Sequence, residues 1–369
     1  MKLKPIFKWT FRIVAFVFLL IAVGLFIGYW MSTNDCGKTA APANPMKAIV
    51  YCEYGSPDVL RLEQIEKPVP NDDQVLIKVR AASVNPYDWH FIRGTPYILR
   101  LDAGLRKPKS LRLGGDVAGQ IEAVGKNVTQ YKPGDEVFGL CTGAWGEYCL
   151  GKSRLALKPP NITFEEAASI PVAAISALQA LRDKGKVQPG QKVLINGASG
   201  GVGTFAVQIA KSMGAEVTGV CSGRNVEMVR SLGADHVIDY TKDDFTKGQE
   251  RYDVILDNVG TQPLSGFRAV LKPSGICVMI GGGGPHEGNW IGPLARPIKA
   301  LLLQPFISQK MSMMIADMTH KDLAVMADLM QSGKVKAVID RTFKLSEVPE
   351  AVRYSETGRA RGKVIITVE

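Results

Sequence analysis

Residues 192–203 read KVLINGASGGVG and run directly into TFAVQIAKSMGA at 204–215. A short apolar strand ends in a glycine-rich turn. A helix follows, with Val202, Phe205, Ile209 and Met213 on one face at spacings of three and four. The turn aligns as Ala198-x-Gly200-x-x-Gly203, so alanine stands at the first glycine of G-x-G-x-x-G. In such a turn Gly200 lets the backbone approach a pyrophosphate and Gly203 lets helix and strand pack closely. Unpaired N–H groups at the helix start attract phosphate. Glycines alone are a weak signal; a strand before them, an amphipathic helix after and a second strand (AEVTGVC, 215–221) make a dinucleotide-binding unit. The apolar runs HVIDY, YDVILDNVG and GICVMIGG alternate with helix-length segments, which predicts a doubly wound parallel sheet.

The end of the second strand decides which dinucleotide fits. A site for NAD usually carries Asp or Glu there, on the ribose 2′-hydroxyl. Residues 219–225 read GVCSGRN, with no carboxylate. Ser222 offers a hydroxyl and Arg224 a fixed positive charge suited to a 2′-phosphate. The pattern favours NADPH over NADH.

The 369 residues suffice for two domains, and the net charge of +10 has no basic run interleaved with aromatics, so a nucleic-acid partner is not expected. The six cysteines form no CxxC pair and several lie in apolar stretches, which reads as small buried thiols in a reducing compartment. Residues 13–31, IVAFVFLLIAVGLFIGYWM, carry no charge and would span about 28 Å as a helix. They read as an uncleaved N-terminal transmembrane anchor within 1–31, with Tyr29 and Trp30 at the interface; a signal peptide is the rival. A linker is expected over 32–45. Residues 46–170 have short strand-like runs between Gly, Pro, Asn and Asp turns and read as a β-rich domain. The α/β domain covers 171–320, and 321–369 returns to the first domain. The segment 284–316 is unusually apolar and reads as core, dimer contact or lid, or as a hydrophobic cap that admits a lipophilic substrate.

Seven further stretches carry a resemblance: AASVNPYDWHFIRG (81–94), LGGDVAGQIEAVGKNV (113–128), YKPGDEVFG (131–139), NGASGGVGTFAVQIAKSMGAEV (196–217), LGADHVIDY (232–240), DVILDNVG (253–260) and ARGKVIITV (360–368). In this order they resemble the medium-chain dehydrogenases/reductases, in the zinc-independent quinone oxidoreductase and enone reductase branch, over about 46–369. The resemblance implies an α/β fold in two parts: a GroES-like β-rich catalytic domain and a Rossmann domain, with the active site between them. It also implies cofactor contacts at Ser199, Gly200, Gly201, Val202 and Gly203 on the phosphates, and Ser222 and Arg224 on the 2′-phosphate. Tyr240 would lie near the adenosine, Asn258 and Gly281 beside the nicotinamide, and Ala360 and Arg361 at a C-terminal contact.

Zinc-dependent members hold their metal with an early Cys and the His of GHE. Here those stretches read VNPYD and GGD, with Asn85 near the Cys position and Gly115 in place of the His. No metal is expected. Reduction of a quinone or an α,β-unsaturated carbonyl then fits better than alcohol oxidation, because conjugation spreads the charge left by hydride and neutral donors suffice. Asn85 and Tyr87 are the candidate donors, with Asp88 to orient them or relay a proton; Asn85 and Asp88 flanking Pro86 also suit a plain turn. The expected enzyme is an NADPH-dependent reductase of a small, lipophilic quinone or enone. It would be held on the membrane through 13–31 with its catalytic part on the cytoplasmic side, and would associate as a homodimer. A tethered NADPH-binding adaptor with little turnover and an alcohol dehydrogenase-like enzyme are the alternatives.

Overall fold

The computed structural model describes residues 4–31, 36, 41–281 and 290–369. Fourteen strands are present among them. In the N-terminal part these are β1 (Pro45–Val50), β2 (Arg61–Glu66), β3 (Val75–Val84), β4 (Asp116–Val124), β5 (Glu136–Thr142) and β6 (Tyr148–Leu157). The second part contributes β7 (Lys192–Asn196), β8 (Glu216–Cys221), β9 (His236–Asp239), β10 (Tyr252–Asp257), β11 (Leu271–Met279) and β12 (Lys310–Met313). The chain closes with β13 (Ile339–Lys344) and β14 (Lys363–Thr367).

One six-stranded sheet has the order β13-β14-β3-β4-β5-β6, and β3 also pairs with β6, so β3 to β6 curl onto themselves. Ile77, Val117, Val137, Leu155 and Trp145 fill the interior of this part. The second sheet, β12-β11-β10-β7-β8-β9, is wholly parallel. Successive strands are added outward on either side of the β7/β10 boundary, and such a switch in order opens a crevice at the strand ends. The helix Gly201–Ser212 is more deeply buried than one apolar face requires. Residues 203–210 are all covered, because the helix lies between its sheet and the helix Pro171–Gln179. Helix and turn meet closely at Gly203, where a Cβ would stand 2.1 Å from the Gly197 carbonyl oxygen.

The last strand serves both halves. β14 lies antiparallel to β3, with Val364 opposite Val84, while Gly362 N–H, just before it, donates to Ser199 O at 2.9 Å. The glycine turn and the catalytic sheet are thereby fastened to one short segment.

The expected transmembrane helix and the single-pass membrane localisation through 13–31 are overturned. Among the described residues no helix is long and apolar enough to cross a membrane. The chain is helical over Lys4–Met31, but the first turns hold Lys4, Lys8 and Arg12. Its last turns lie on the body of the protein: a Cβ at Gly28 would touch Leu105 at 3.0 Å, and Arg106 sits over the rings of Tyr29 and Trp30. Those rings meet a partner within the chain. The expected linker 32–45 is described only at Cys36 and from 41 on.

The reading of the cysteines as buried thiols holds only for Cys221 and Cys277. Cys36 pairs with Cys52 and Cys141 with Cys149, at Cα separations of 5.7 and 6.1 Å. Cys141 and Cys149 face each other because β5 and β6 are neighbours, a relation that spacing along the chain does not reveal. Of the apolar segment 284–316, residues 284–289 lie outside the described set; beyond them Trp290, Leu301, Leu302 and Phe306 are exposed.

Candidate active site

The cofactor half of the site forms at the C-terminal ends of β7, β8, β9 and β10. Ser199, Gly200 and Gly201 make the turn into the helix Gly201–Ser212, with Val202 and Gly203 in its first turn. Gly200 is paired to Gly362 as an isolated parallel bridge. Ser222 ends β8, and Asn225 donates from Nδ2 to Ser199 Oγ at 3.0 Å and to Ser222 Oγ at 3.3 Å. Asn225 thus holds both hydroxyls in place, while its own Oδ1 is buried without a partner. Arg224 Nη2 donates to Arg359 O at 2.8 Å, which brings the 359–361 loop, with Ala360 and Arg361, beside Ser222. Tyr240 follows β9; its N–H donates to Cys221 O at 3.1 Å and its side chain is exposed. Asn258 follows β10, with Nδ2 donating to Asn196 O at 3.0 Å and Oδ1 buried and unpaired. Gly281 passes so close to the Asn258 carbonyl that a Cβ would stand 2.2 Å from its oxygen. The twelve residues expected at the cofactor stand after the C-terminal ends of β7 to β11 and in the loop before β14.

The end of β10 also holds a group that the sequence did not single out. Asp257, fully buried at the end of β10, accepts from Asn196 Nδ2 at 2.8 Å and from Arg296 Nη1 at 2.5 Å. Two unpartnered buried carboxamide oxygens, glycines where a Cβ would collide, and a free helix start together fit a dinucleotide.

The two candidate donors, Asn85 and Tyr87, separate, and Asp88 lies with Asn85. They lie at the start of the helix Pro86–Arg93, for which Asn85 is the N-cap. Only Tyr87 lines the adjoining cavity, of about 740 Å³, together with Phe91, Gly115, Leu140 and Val172. Asn85 is buried and its amide is fully engaged: Oδ1 accepts from Lys363 Nζ at 2.6 Å and Nδ2 donates to Asp116 Oδ2 at 2.9 Å. Asp88, with no exposure, turns back to accept from Asn85 N–H at 2.7 Å, so it caps the helix. Burial holds its carboxyl well above the usual carboxylate range, and nearby Asp116 adds to the rise. His90 accepts no such role; its Nδ1 lies 2.7 Å from Thr95 O.

Behind Tyr87 the network continues. Ser83 Oγ donates to Asp116 Oδ2 at 2.7 Å, Asp116 Oδ1 accepts from Val172 N–H at 3.2 Å, and Lys363 Nζ lies 3.5 Å from Asp116 Oδ2. Burial depresses the Lys363 pKa, against the pull of Asp116 and Asp88. Lys363 also passes under the glycine turn, where a Cβ on Gly201 would meet its Cδ at 3.2 Å. The network therefore ties β3, β4, β14, the start of the helix Pro171–Gln179 and the phosphate turn into one unit. Asp116 and Lys363 were visible as polar letters in GGD and ARGK; their meeting depends on the pairing of β14 with β3.

The Tyr87 hydroxyl occupies the space in front of Gly115. A Cβ on Gly115 would stand 2.1 Å from the phenol oxygen and 3.3 Å from Cζ. Burial raises the pKa of this phenol well above its ordinary value, with Asp88 and Asp116 adding to the rise, and so keeps it protonated.

Comparison with known proteins fits this geometry. A family model described as alcohol dehydrogenase GroES-like domain matches residues 71–162, and one described as zinc-binding dehydrogenase matches 232–366. The mitochondrial NAD(P)H oxidoreductase RTN4IP1 of Mus musculus is 36% identical over 89% of this chain and 91% of that protein. The chain belongs to the medium-chain dehydrogenase/reductase superfamily, in its quinone oxidoreductase-like branch. The 2-methylene-furan-3-one reductase of Solanum lycopersicum is 35% identical, over 87% of this chain and 79% of that protein. The quinone oxidoreductase structure from Coxiella burnetii superposes with a TM-score of 0.77 at 30% identity, over 88% of this chain and all of that one.

The superfamily includes zinc enzymes, but the residues present here do not fit zinc. Among the described residues no cluster of three or more His, Cys, Asp or Glu could hold a metal ion. At the two positions where ligands would stand, Asn85 is spent in the buried network and Gly115 has its side-chain space filled by the Tyr87 hydroxyl.

Proposed function

We propose that the chain is a metal-independent, NADPH-dependent reductase that delivers hydride to a quinone or to the β-carbon of an α,β-unsaturated carbonyl. The observation that carries this is the Tyr87 phenol, held protonated at the inner end of the cavity in the space of a residue-115 side chain. The relatives named as quinone, NAD(P)H and enone reductases support the same chemistry.

Ser199 to Gly203 hold the pyrophosphate, Ser222 and Arg224 the 2′-phosphate, Tyr240 the adenosine end, and Asn258 and Gly281 the nicotinamide; Ala360 and Arg361 close over it. When bound, NADPH supplies the hydride. Tyr87 donates a hydrogen bond to the substrate carbonyl oxygen, where negative charge gathers as hydride arrives. Conjugation spreads that charge, so a neutral phenol is sufficient. Asn85 is a positioning residue that ties the start of the Tyr87 helix to Asp116 and Lys363, and Asp88 fixes the turn that presents the ring. The edge strand β12 and the exposed Leu301, Leu302 and Phe306 supply a surface for a homodimer, which sedimentation would measure.

Steady-state oxidation of NADPH and of NADH with a panel of quinones, enones and alcohols tests the reading. Turnover of a quinone or enone with NADPH preferred is expected. Tight NADPH binding without turnover of any acceptor would replace the reductase by a binding protein, and zinc-dependent alcohol oxidation would refute it.

A further inference from the structure

The outer wall of the cavity is charged in a way the reductase reading leaves unused. Five charged residues line it: Asp102, Lys109, Arg112, Lys152 and Arg154, four cations against one carboxylate. None of the glycine turn, Ser222 or Arg224 lines it, so these cations do not serve the phosphates of a dinucleotide. Among the described residues none of the four is paired with a carboxylate.

Arg112 is the best placed of them. Its backbone is fixed by a bridge to Val50 and by Ser110 Oγ, which donates to Arg112 O at 2.9 Å. Its guanidinium rests on the backbone at Gly143, where a Cβ would come within 3.1 Å of Nε and 3.2 Å of Cζ. Gly143 has φ +81°, in the left-handed region that favours glycine, so the turn both demands a glycine and gives the plane a place to lie. Nη1 is buried with no hydrogen-bond partner. A guanidinium cannot shed its charge at working pH, and burying it unpaired is unfavourable by several kcal/mol. Burial works against its charge here, which is the strain an incoming anion would relieve.

We infer that the substrate reduced in this cleft carries an anionic group, carboxylate or phosphate, that pairs with Arg112 while its conjugated carbonyl reaches Tyr87. This rests on the reductase reading for the carbonyl end; the anion site itself does not. The fork of Arg112 suits a planar carboxylate in bidentate contact, and Lys109, Lys152 and Arg154 draw an anion toward the mouth.

Three vinyl ketones of equal chain length, ending in methyl, carboxylate or phosphate, are assayed with NADPH against wild type, Arg112→Gln and Arg112→Lys. In parallel, binding of unreactive octanoate, octyl phosphate and octanol is titrated calorimetrically. NADPH titration reports that each variant is folded. Wild type should prefer a charged ketone in kcat/KM, and Arg112→Gln should shrink that preference by about tenfold to a hundredfold. Arg112→Lys should retain part of it, and added salt should erode the share due to the three outer cations. The carboxylate and phosphate arms show which anion the site takes. Octanoate or octyl phosphate binding to wild type and lost in Arg112→Gln, with no ketone reduced, would uphold the anion site and sink the reductase reading. Ketones reduced without regard to charge, and octanoate bound no better than octanol, would overturn the inference and leave the reductase standing.

Discussion

Replacing Gly115 by alanine adds one methyl group at the point on which the site turns. The new Cβ would lie 2.1 Å from the Tyr87 oxygen, 3.3 Å from Cζ and 3.6 Å from Leu140 Cδ2. An ordinary C···O contact is about 3.3 Å, so the hydroxyl must retreat by about 1.2 Å. The ring is rigid and lies between Phe91 and the cavity wall, which leaves rotation or translation of the whole side chain. Overpacking of this kind destabilises by about 1–3 kcal/mol. A displacement of about 1 Å in a positioning group lowers the rate about a hundredfold. The assay is kcat/KM for a quinone and an enone in a double-mutant cycle with Tyr87→Phe. Phenylalanine removes the colliding oxygen and leaves Cζ needing to give by a few tenths of an ångström. Gly115→Ala should therefore be severe in wild type and nearly silent beside Tyr87→Phe. Full activity in Gly115→Ala, or losses that simply multiply across the cycle, would refute the placement of the phenol as the working donor.

Other substitutions probe the surroundings. Lys363→Met leaves Asp116 without its cation in a dry interior and should destabilise the fold by about 3–5 kcal/mol in urea melts, with much of the loss recovered by adding Asp116→Asn. Because the Asp88 carboxyl keeps its proton in the folded chain after the unfolded chain has released it, stability should fall as pH rises from the ordinary carboxylate value toward the raised one. Asp88→Asn should flatten that slope, by at most about 1.4 kcal/mol per pH unit; an unchanged pH profile of the melting midpoint would show that Asp88 is not its source. Arg224→Ala should weaken NADPH about tenfold to a hundredfold while leaving NADH nearly as it was, a difference read by fluorescence titration of both.

What the sequence made legible was contiguous. The glycine turn, the strand before it and the helix after lie within 24 residues, so spacing alone located the dinucleotide site, and the absence of a carboxylate in 219–225 pointed to the phosphate-bearing cofactor. The candidate trio was different. Asn85, Tyr87 and Asp88 share one short stretch, yet their directions are set by partners elsewhere: Asp116 is 31 residues away and Lys363 is 278. Spacing told which side chains were polar, not which one would be left facing the cavity. Arg112 was likewise an unremarked letter until Gly143 came beneath it. At the N-terminus, hydropathy counted the apolar residues of 13–31 but was blind to Leu105 and Arg106, which meet the end of that helix. The Cys141–Cys149 disulfide followed from strand neighbours, a relation of the folded sheet.

The segment from Gly362 to Thr367 has a bearing on how the molecule is made. It supplies the hydrogen bond that steadies Ser199, the ammonium group that balances Asp116, and a strand flanking β3. A ribosome delivers these residues after both halves have emerged. Each half can begin to fold during synthesis, but the phosphate turn lacks its bond from Gly362 and β3 lacks its β14 neighbour until this ribbon docks. The contacts that join the two halves through this ribbon are thus among the last that the growing polypeptide can make.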